Sequence, residues 1–416
     1  GLRVVDVSIM AAGPWIGSLL GQLGAEVIKV EPPAGDGTRW VEPRQRGMGT
    51  NYMCLNMNKQ GIVLDFKDPH DREQALALIA TADIFVQNFR GGVIERLGLG
   101  YAAVRDAVAW LKGANNLVAP VRQAYAFGSS QSGRFLRDFL YHGFNDDEAG
   151  RSVFDGVMAH IAGAGRLDLN RRWSIPREQA MYNTASYPFA DTAQKDPVSG
   201  LREGVLENAR RASVPKIFYT NTSAEYWGGG RVAALAHTDP SGSVDIALPD
   251  NVRLYFFAGT QHGPGGFPPP ASALGVHLGN PVDASVSMRA LLLAMHRWVT
   301  AGTPPPPSAF PTLRDGTLVP VARVRFPPLA GMGTPQRLGA GVRMRNPLWP
   351  DGAGQGAALP LLVPQVDRDG NELAGIRMPE IAVPLATATG WTFRSPSMGA
   401  PGDLVPLRGA WVPFAA

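Results

Sequence analysis

Three side chains far apart in the chain have the types that nucleophilic acyl transfer needs: a serine in "AFGSSQSGRF", a carboxylate in "TNTSAEYW" and a histidine in "FFAGTQHG". A serine hydroxyl attacks a carbonyl when a base takes its proton, and a histidine works best as that base when a carboxylate fixes its ring and tautomer. A hydroxyl presented on a sharp strand-to-helix bend requires small residues two positions before and after it, because the chain crosses itself there. Ser130 has Gly128 and Ser132 at those positions, whereas Ser132 has Ser130 and the bulky Arg134. Ser130 is therefore the candidate nucleophile. Glu225 and His262 each fall just after a strand-like apolar run, "PKIFYT" and "VRLYFFAG", and are the candidate acid and base. The backbone N–H of Gln131, at the expected helix start, is the candidate oxyanion donor. The sequence identifies no second donor.

Competing residues have weaker contexts. His142 and His160 lie closer to the serine along the chain, but one sits on the helix after it and the other in an apolar strand run. Asp191, Asp196 and Asp239 compete for the acid from turn-like text, "DTAQKDP" and "HTDPSG". "VDRDGNELAGI", 366 to 376, has the acids of a calcium loop, but Gly370 is the fourth residue from Asp367 where such a loop needs glycine at the sixth, so a hairpin turn is expected. Cys54 is the single cysteine, which excludes an intrachain disulfide and a thiolate zinc site; no metal site is expected.

The elements that must position these residues read as α/β. "LRVVDVS", "AEVIKVEPP", "GIVLDF" and "DIFVQNF" are strand-like, with helical "GPWIGSLLGQLG" and "DPHDREQALALIATA" between them, the pattern of a parallel sheet. A second series, "NLVAPVRQAYAFG", "VFDGVMAHIAG", "VPKIFYTN" and "VRLYFFAGT", begins near residue 115. The helix after Ser130 is expected to bury Phe135, Leu136, Phe139 and Leu140, with Gly133 allowing close packing at its start. From residue 303 the text turns proline- and glycine-rich, yet keeps enough Leu, Val and Trp to pack. With 416 residues, 45% hydrophobic and 18% charged, the composition is that of a soluble globular protein of two or three domains. The net charge of +4 is spread without a basic run, so nucleic acid is not an expected partner, and no apolar run is long enough for a membrane span. The chain opens on Gly1, which leaves room for a preceding segment.

Two resemblances follow from longer stretches. From about residue 100 onward, "SQSGRFLRDFLYHGFNDDEAGRSVFDGVMAHIAGAGR", "TNTSAEYW", "LPDNVRLYFFAGTQHG", "RALLLAMHRWVTAGTPPPPS" and "LVPQVDRDGNELAGIRMPEIAVPLATATGW" resemble the α/β-hydrolase domain-containing proteins, a serine-hydrolase family. That resemblance implies Ser130 as nucleophile, His262 as base and Glu225 as acid. "GLRVVDVSIMAAGPWIGSLLGQLGAEVIKVEPPAGDGTR", "NMNKQGIVLDFKD" and "ADIFVQNFRGGVIERLGLGY" resemble the N-terminal part of the class III CoA-transferases, the CaiB/BaiF type. That resemblance implies a Rossmann-like segment with CoA contacts at Arg39, Lys59, Asn88, Phe89 and Arg90, and a transfer carboxylate further downstream in text this chain lacks. A nicotinamide site, with Glu31 on the ribose, is the weaker reading because "AAGPWIG" lacks the glycine spacing that pyrophosphate needs.

The expected organisation is then a CoA-transferase-like segment over 1–105, a hydrolase region over 106–302 whose mostly parallel sheet lacks its front half, and a Pro/Gly-rich extension over 303–416, with a join at shared text in 98–106. The expected function is hydrolysis of a small-molecule carboxylic ester through a Ser-His-Glu triad, impaired by the missing front half and needing no cofactor. The alternatives are a CoA-binding or CoA-transferase-like protein acting through its first segment, or a non-functional chimera. The first segment and the lone cysteine lean toward the cytoplasm; oligomeric state is open.

Overall fold

A computed structural model of the chain describes all residues except 1, 11, 41–43, 46–47, 88–121, 148, 167–183, 186, 209–212, 229–231, 330–331, 336–337, 339–341, 345–354 and 415–416. The expected join at 98–106 lies outside the described residues. The chain divides into two compact units, Gly1–Tyr125 with Asp146–Asp155, and Ala126–Asn145 with Gly156–Ala416. Both are mixed α/β, each with a mostly parallel main sheet of four strands.

In the first unit, β1 (Arg3–Asp6), α1 (Ala12–Gln22), β2 (Glu26–Glu31), α2 (Thr50–Leu55), β3 (Lys59–Val63), α3 (Pro69–Ile79) and β4 (Ile84–Val86) alternate as the apolar runs predict. The sheet order is β3-β2-β1-β4, with every neighbouring pair parallel. Val5, Val7, Val30, Leu64, Ala75 and Ile79 form its core. Asp68 caps α3 by accepting from the N–H groups of His70 and Asp71, and Pro69 follows where no intrahelical donor is needed. β3 covers the start of the strand-like run "GIVLDF" and lies at the sheet edge, where Ile62 and Val63 face outward while Leu64 turns into the core.

In the second unit, β5 (Tyr125–Ser129), α4 (Gln131–Tyr141), β6 (Gly156–His160), β7 (Lys216–Thr222), α5 (Ser223–Trp227), β8 (Val252–Phe257) and α6 (Ser285–Ala301) follow one another. The sheet order is β8-β7-β6-β5. β7 runs parallel to both neighbours, with Ile217 opposite Val157 on one side and Val252 on the other. The three strands therefore end at one edge, where Thr222 leads into α5 and Phe257 into the loop that carries His262. Tyr226, Trp227, Phe256 and Ala258 pack with Val363, Met378, Ile381 and Trp391, so the proline- and glycine-rich stretch contributes core to this unit. Its regular structure is sparse and consists mainly of short strands, among them β9 (Leu318–Pro320), β10 (Leu362–Pro364), β11 (Ala386–Thr389) and β12 (Ala410–Pro413).

The predicted stripe on α4 needs one correction: Leu136, Phe139 and Leu140 are buried, but Phe135 is only half-buried. Its place inside is taken by Arg134, Arg137 and Asp138. Arg137 is fully enclosed, donating to the carbonyls of Phe189 and Ala164 with its guanidinium over the Tyr219 ring, so periodicity of apolar residues alone misassigned that face. The stretch 366 to 376 is the expected turn: Val366 and Glu372 form an antiparallel bridge, and the Asp367 carboxylate accepts from the N–H groups of Asp369 and Asn371. Among the described residues, no helix is long and apolar enough to cross a membrane.

Candidate active site

The bend between β5 and α4 occurs at a single residue. Ser130 has φ 57 and ψ −111, a conformation a β-carbon disfavours, and its N–H donates to the His160 carbonyl at 2.8 Å, anchoring the bend to the end of β6. Close approach explains the small neighbours. A β-carbon on Gly128 would lie 2.4 Å from the Ser132 carbonyl oxygen, and one on Gly133 would lie 2.8 Å from that of His160. Backbone atoms cannot yield as a side-chain tip can, so these two positions admit only glycine without a shift of the helix start. Gln131 is the first residue of α4, on its positive end.

His262 stands between the other two candidates. The Ser130 hydroxyl donates to His262 Nε2 at 3.0 Å, and His262 Nδ1–H donates to Glu225 Oε1 at 2.5 Å. Ser130, Glu225 and His262, separated by up to 132 residues, are thus brought into one hydrogen-bonded chain. Glu225 is fully buried, and the His262 side chain is 13% exposed. The second oxygen of Glu225 accepts from the N–H of Thr222 at 2.8 Å and from its hydroxyl, closing a capping box at the start of α5. One carboxylate oxygen faces the imidazole while the other is fixed by the helix it belongs to.

The competing residues lie elsewhere. His142 closes α4, its ring 3.6 Å from Asp138. His160 is enclosed in the sheet, where burial pushes its pKa down to about 4, and its Nδ1 lies 2.8 Å from the Thr220 hydroxyl. Asp191 accepts from the Tyr219 hydroxyl, while Asp196 and Asp239 organise turns through the N–H groups of Ser199 and Ser241.

Reading the sequence missed Glu372 and Asn280. Glu372, buried, accepts from the Ser223 hydroxyl, the Trp227 indole N–H and the Gly259 N–H. Asn280 donates its amide to the carbonyls of Gly259 and Thr389, at 2.6 and 2.8 Å. Neither has a local signal. The Thr-x-x-Glu pattern of Thr222 and Glu225, by contrast, is a capping-box signature legible in the chain itself.

Of the residues expected to contact CoA, Asn88, Phe89 and Arg90 lie outside the described residues. The Arg39 guanidinium is 28% exposed and pairs with Glu31 at 2.7 Å, with Tyr52 beneath it. Burial pushes the Glu31 carboxyl up, but Arg39, the Tyr52 hydroxyl and the Asp36 N–H outweigh it and hold the pKa at about 2. Glu31 is therefore engaged within its own unit. The Lys59 ammonium is 1% exposed, donates to Asp6 at 2.8 Å, to Asn56 and to the Pro14 carbonyl, and burial lowers its pKa. In this arrangement Lys59 offers no exposed charge to a ligand from solvent.

Comparison with known proteins speaks to the first segment. Residues 1–109 match the model of CoA-transferase family III. A succinyl-CoA:glutarate CoA-transferase of Mus musculus is 43% identical over 111 residues, 26% of this chain and 25% of that protein. An acetyl-CoA:oxalate CoA-transferase of Acetobacter aceti is 40% identical over 102 residues, 24% of this chain and 26% of that protein. The chain thus spans about a quarter of the length of the curated relatives it matches. A crystal structure of a CAIB/BAIF family protein from Brucella suis aligns at 28% identity over 37% of this chain and 42% of that one, with a TM-score of 0.26, too low to bear on the fold. These comparisons support a CoA-transferase-like first segment and lend no support to the hydrolase expected from the sequence.

Proposed function

We propose that the second unit is a serine hydrolase of the α/β-hydrolase type, cleaving a small-molecule carboxylic ester through an acyl-enzyme on Ser130. One observation carries the reading: a hydroxyl at a strained strand-to-helix bend hydrogen-bonds to an imidazole, which hydrogen-bonds to a fully buried carboxylate. In the first step Ser130 Oγ bonds to the ester carbonyl carbon while His262 Nε2 takes its proton. Glu225 stabilises the imidazolium and holds Nδ1–H in place. The developing oxyanion is received by the Gln131 N–H at the positive end of α4. Collapse expels the alcohol, which takes the proton back from His262. Water then repeats the sequence on the acyl-enzyme, delivering the acid and regenerating the Ser130 hydroxyl.

A second reading belongs to the first segment, and the comparisons favour it over a hydrolase. The family match over residues 1–109 supports a CoA-binding, CoA-transferase-like role there, with Arg39, Lys59, Asn88, Phe89 and Arg90 as contacts and a CoA thioester as ligand. Arg39, partly exposed, is the more accessible of the two described residues.

Two assays on the full chain separate the readings. A fluorophosphonate probe is expected to label wild-type protein and to leave Ser130→Ala unlabelled; folded wild-type protein that resists the probe removes the hydrolase reading. Retention on immobilised CoA, lost in Arg90→Ala, is the expectation of the second. Passage of wild-type protein straight through that resin removes it.

A further inference from the structure

We infer that Glu372, contributed by the proline- and glycine-rich C-terminal stretch, is a positioning residue that holds the Glu225 helix and the His262 loop in register for catalysis; this rests on the hydrolase reading above. Glu372 is 3% exposed and reaches donors on two separate segments. Its Oε1 accepts from the Ser223 hydroxyl at 2.7 Å and the Trp227 indole N–H at 3.0 Å. Those are the first and last residues of α5, the five-residue helix that holds Glu225 between them. Its Oε2 accepts from the Gly259 N–H at 2.7 Å, three residues before His262. One carboxylate thus ties the segment bearing the acid to the segment bearing the base, and the 2.5 Å contact of Glu225 with His262 spans the same pair.

The surroundings fit that role. Gly259 turns the loop at φ +63, where a β-carbon would come 2.4 Å from Ile381 Cδ1. The same stretch grips the end of β8 and the loop after it: Ile376 N–H donates to the Phe256 carbonyl at 2.7 Å, Ala258 N–H to the Ile376 carbonyl at 3.1 Å, and Gly409 N–H to the Gln261 side-chain Oε1 at 2.9 Å. Gly390 N–H donates to the Ser223 hydroxyl oxygen at 3.1 Å. A buried carboxylate is a costly way to fill space, and an apolar residue of similar volume would pack at lower cost. Burial pushes the Glu372 carboxyl up to about 7, against the pull of Gly259, Ser223 and Trp227. What an apolar residue could not do is accept from both segments at once.

The test uses the full chain. Glu372→Gln keeps the size but replaces one acceptor oxygen with an NH2 donor, which then faces a donor; Ser223→Ala removes one of the donors with little change in volume and carries the decision if the first variant does not fold. Active sites are titrated by the burst of p-nitrophenol from p-nitrophenyl acetate, and kcat and KM are expressed per titrated site. A displacement of the reacting groups by about 1 Å costs on the order of 100-fold, so Glu372→Gln is expected to lose about 10- to 100-fold in kcat per site. Ser223→Ala is expected to lose about threefold or more, with KM in both within about threefold of wild type. A merely structural role would lower the titratable fraction and Tm and leave kcat per site at the wild-type value. That result overturns the inference and leaves the hydrolase reading standing. Wild-type protein with neither burst nor fluorophosphonate labelling overturns both.

Discussion

Replacing Glu225 by glutamine changes one atom and sets two hydrogen bonds against each other. In the wild type, Oε1 accepts from His262 Nδ1–H at 2.5 Å and Oε2 accepts from the Thr222 N–H at 2.8 Å, so both oxygens must be acceptors. An amide has only one. If its oxygen faces His262, its NH2 points at the Thr222 N–H, donor against donor inside a fully buried site. That loses the helix cap, worth about 1 kcal/mol, and leaves a buried donor unpaired at about 1–3 kcal/mol. If the amide turns round, the cap survives but the NH2 donates to Nδ1, which forces the imidazole proton onto Nε2, the atom that must receive the Ser130 proton. A preference of about 2 kcal/mol for the second orientation leaves roughly one molecule in thirty with a competent tautomer. Losing the carboxylate partner of the imidazolium costs about another 1.5–3 kcal/mol. Glu225→Gln is therefore expected to reduce kcat on a p-nitrophenyl ester about 400- to 5,000-fold with KM nearly unchanged, approaching the loss of about 10⁴ seen when the acid of a serine-protease triad is converted to its amide. Fluorophosphonate labelling slows in parallel while near-ultraviolet circular dichroism stays native. A variant within about tenfold of wild type, measured beside an inactive Ser130→Ala, would refute the assignment of Glu225 as the acid.

Gly128→Ala is expected to destabilise the second unit by about 1–3 kcal/mol and to abolish labelling, because its β-carbon would sit 2.4 Å from the Ser132 carbonyl oxygen and the helix start must shift. Thermal unfolding and probe labelling measure the two effects, and a fully labelled, equally stable variant contradicts the elbow. Arg39→Met tests the first unit through its acid dependence. Glu31, with its folded pKa at about 2 against 4.5 for the free side chain, contributes stability that is complete above about 4.5 and lost as pH falls toward about 2. At about 1.36 kcal/mol per tenfold, that contribution is on the order of 3 kcal/mol. Urea unfolding of wild type and Arg39→Met at pH 6 and pH 3 is expected to show the variant's deficit shrinking at the lower pH; a deficit independent of pH would sever Arg39 from Glu31.

What the sequence displayed was local. The inner strands of both sheets, such as β1, β6 and β7, stand out as short apolar runs because their residues are buried, and the elbow stands out because steric crowding there admits glycine at 128 and 133. Glu225 and His262 could be chosen because a parallel sheet delivers the ends of its strands to one edge, so position after a strand encodes position in space. Local patterns misled where burial was polar: Arg137 donates from Nη2 to the carbonyls of Phe189 and Ala164 and stacks on the Tyr219 ring, partners 27 to 82 residues away, and nothing near it in the chain marks it as buried. The edge position of β3 was hidden for the same reason, since sheet order is set by contacts between distant strands. CoA contacts at Asn88, Phe89 and Arg90 rest on resemblance alone.

Glu372 marks the limit of that local logic and also what the long-range contacts achieve. Its partners lie 113 residues away at Gly259 and 149 at Ser223, and the hydroxyl-to-imidazole contact closes 132 residues. A capping box fixes one oxygen of Glu225 relative to its own helix, but a five-residue helix is too short to hold its own direction. Its orientation must come from packing, and Tyr226 and Trp227 receive that packing from Val363, Met378 and Trp391. Geometry at the imidazole therefore depends on the proline- and glycine-rich stretch twice: through apolar contacts that seat α5, and through a buried carboxylate that ties α5 to the His262 loop. That dependence is why a segment with little regular secondary structure retains so many buried Leu, Val and Trp residues, and why the hydrolase reading has to include residues well beyond its three reacting side chains.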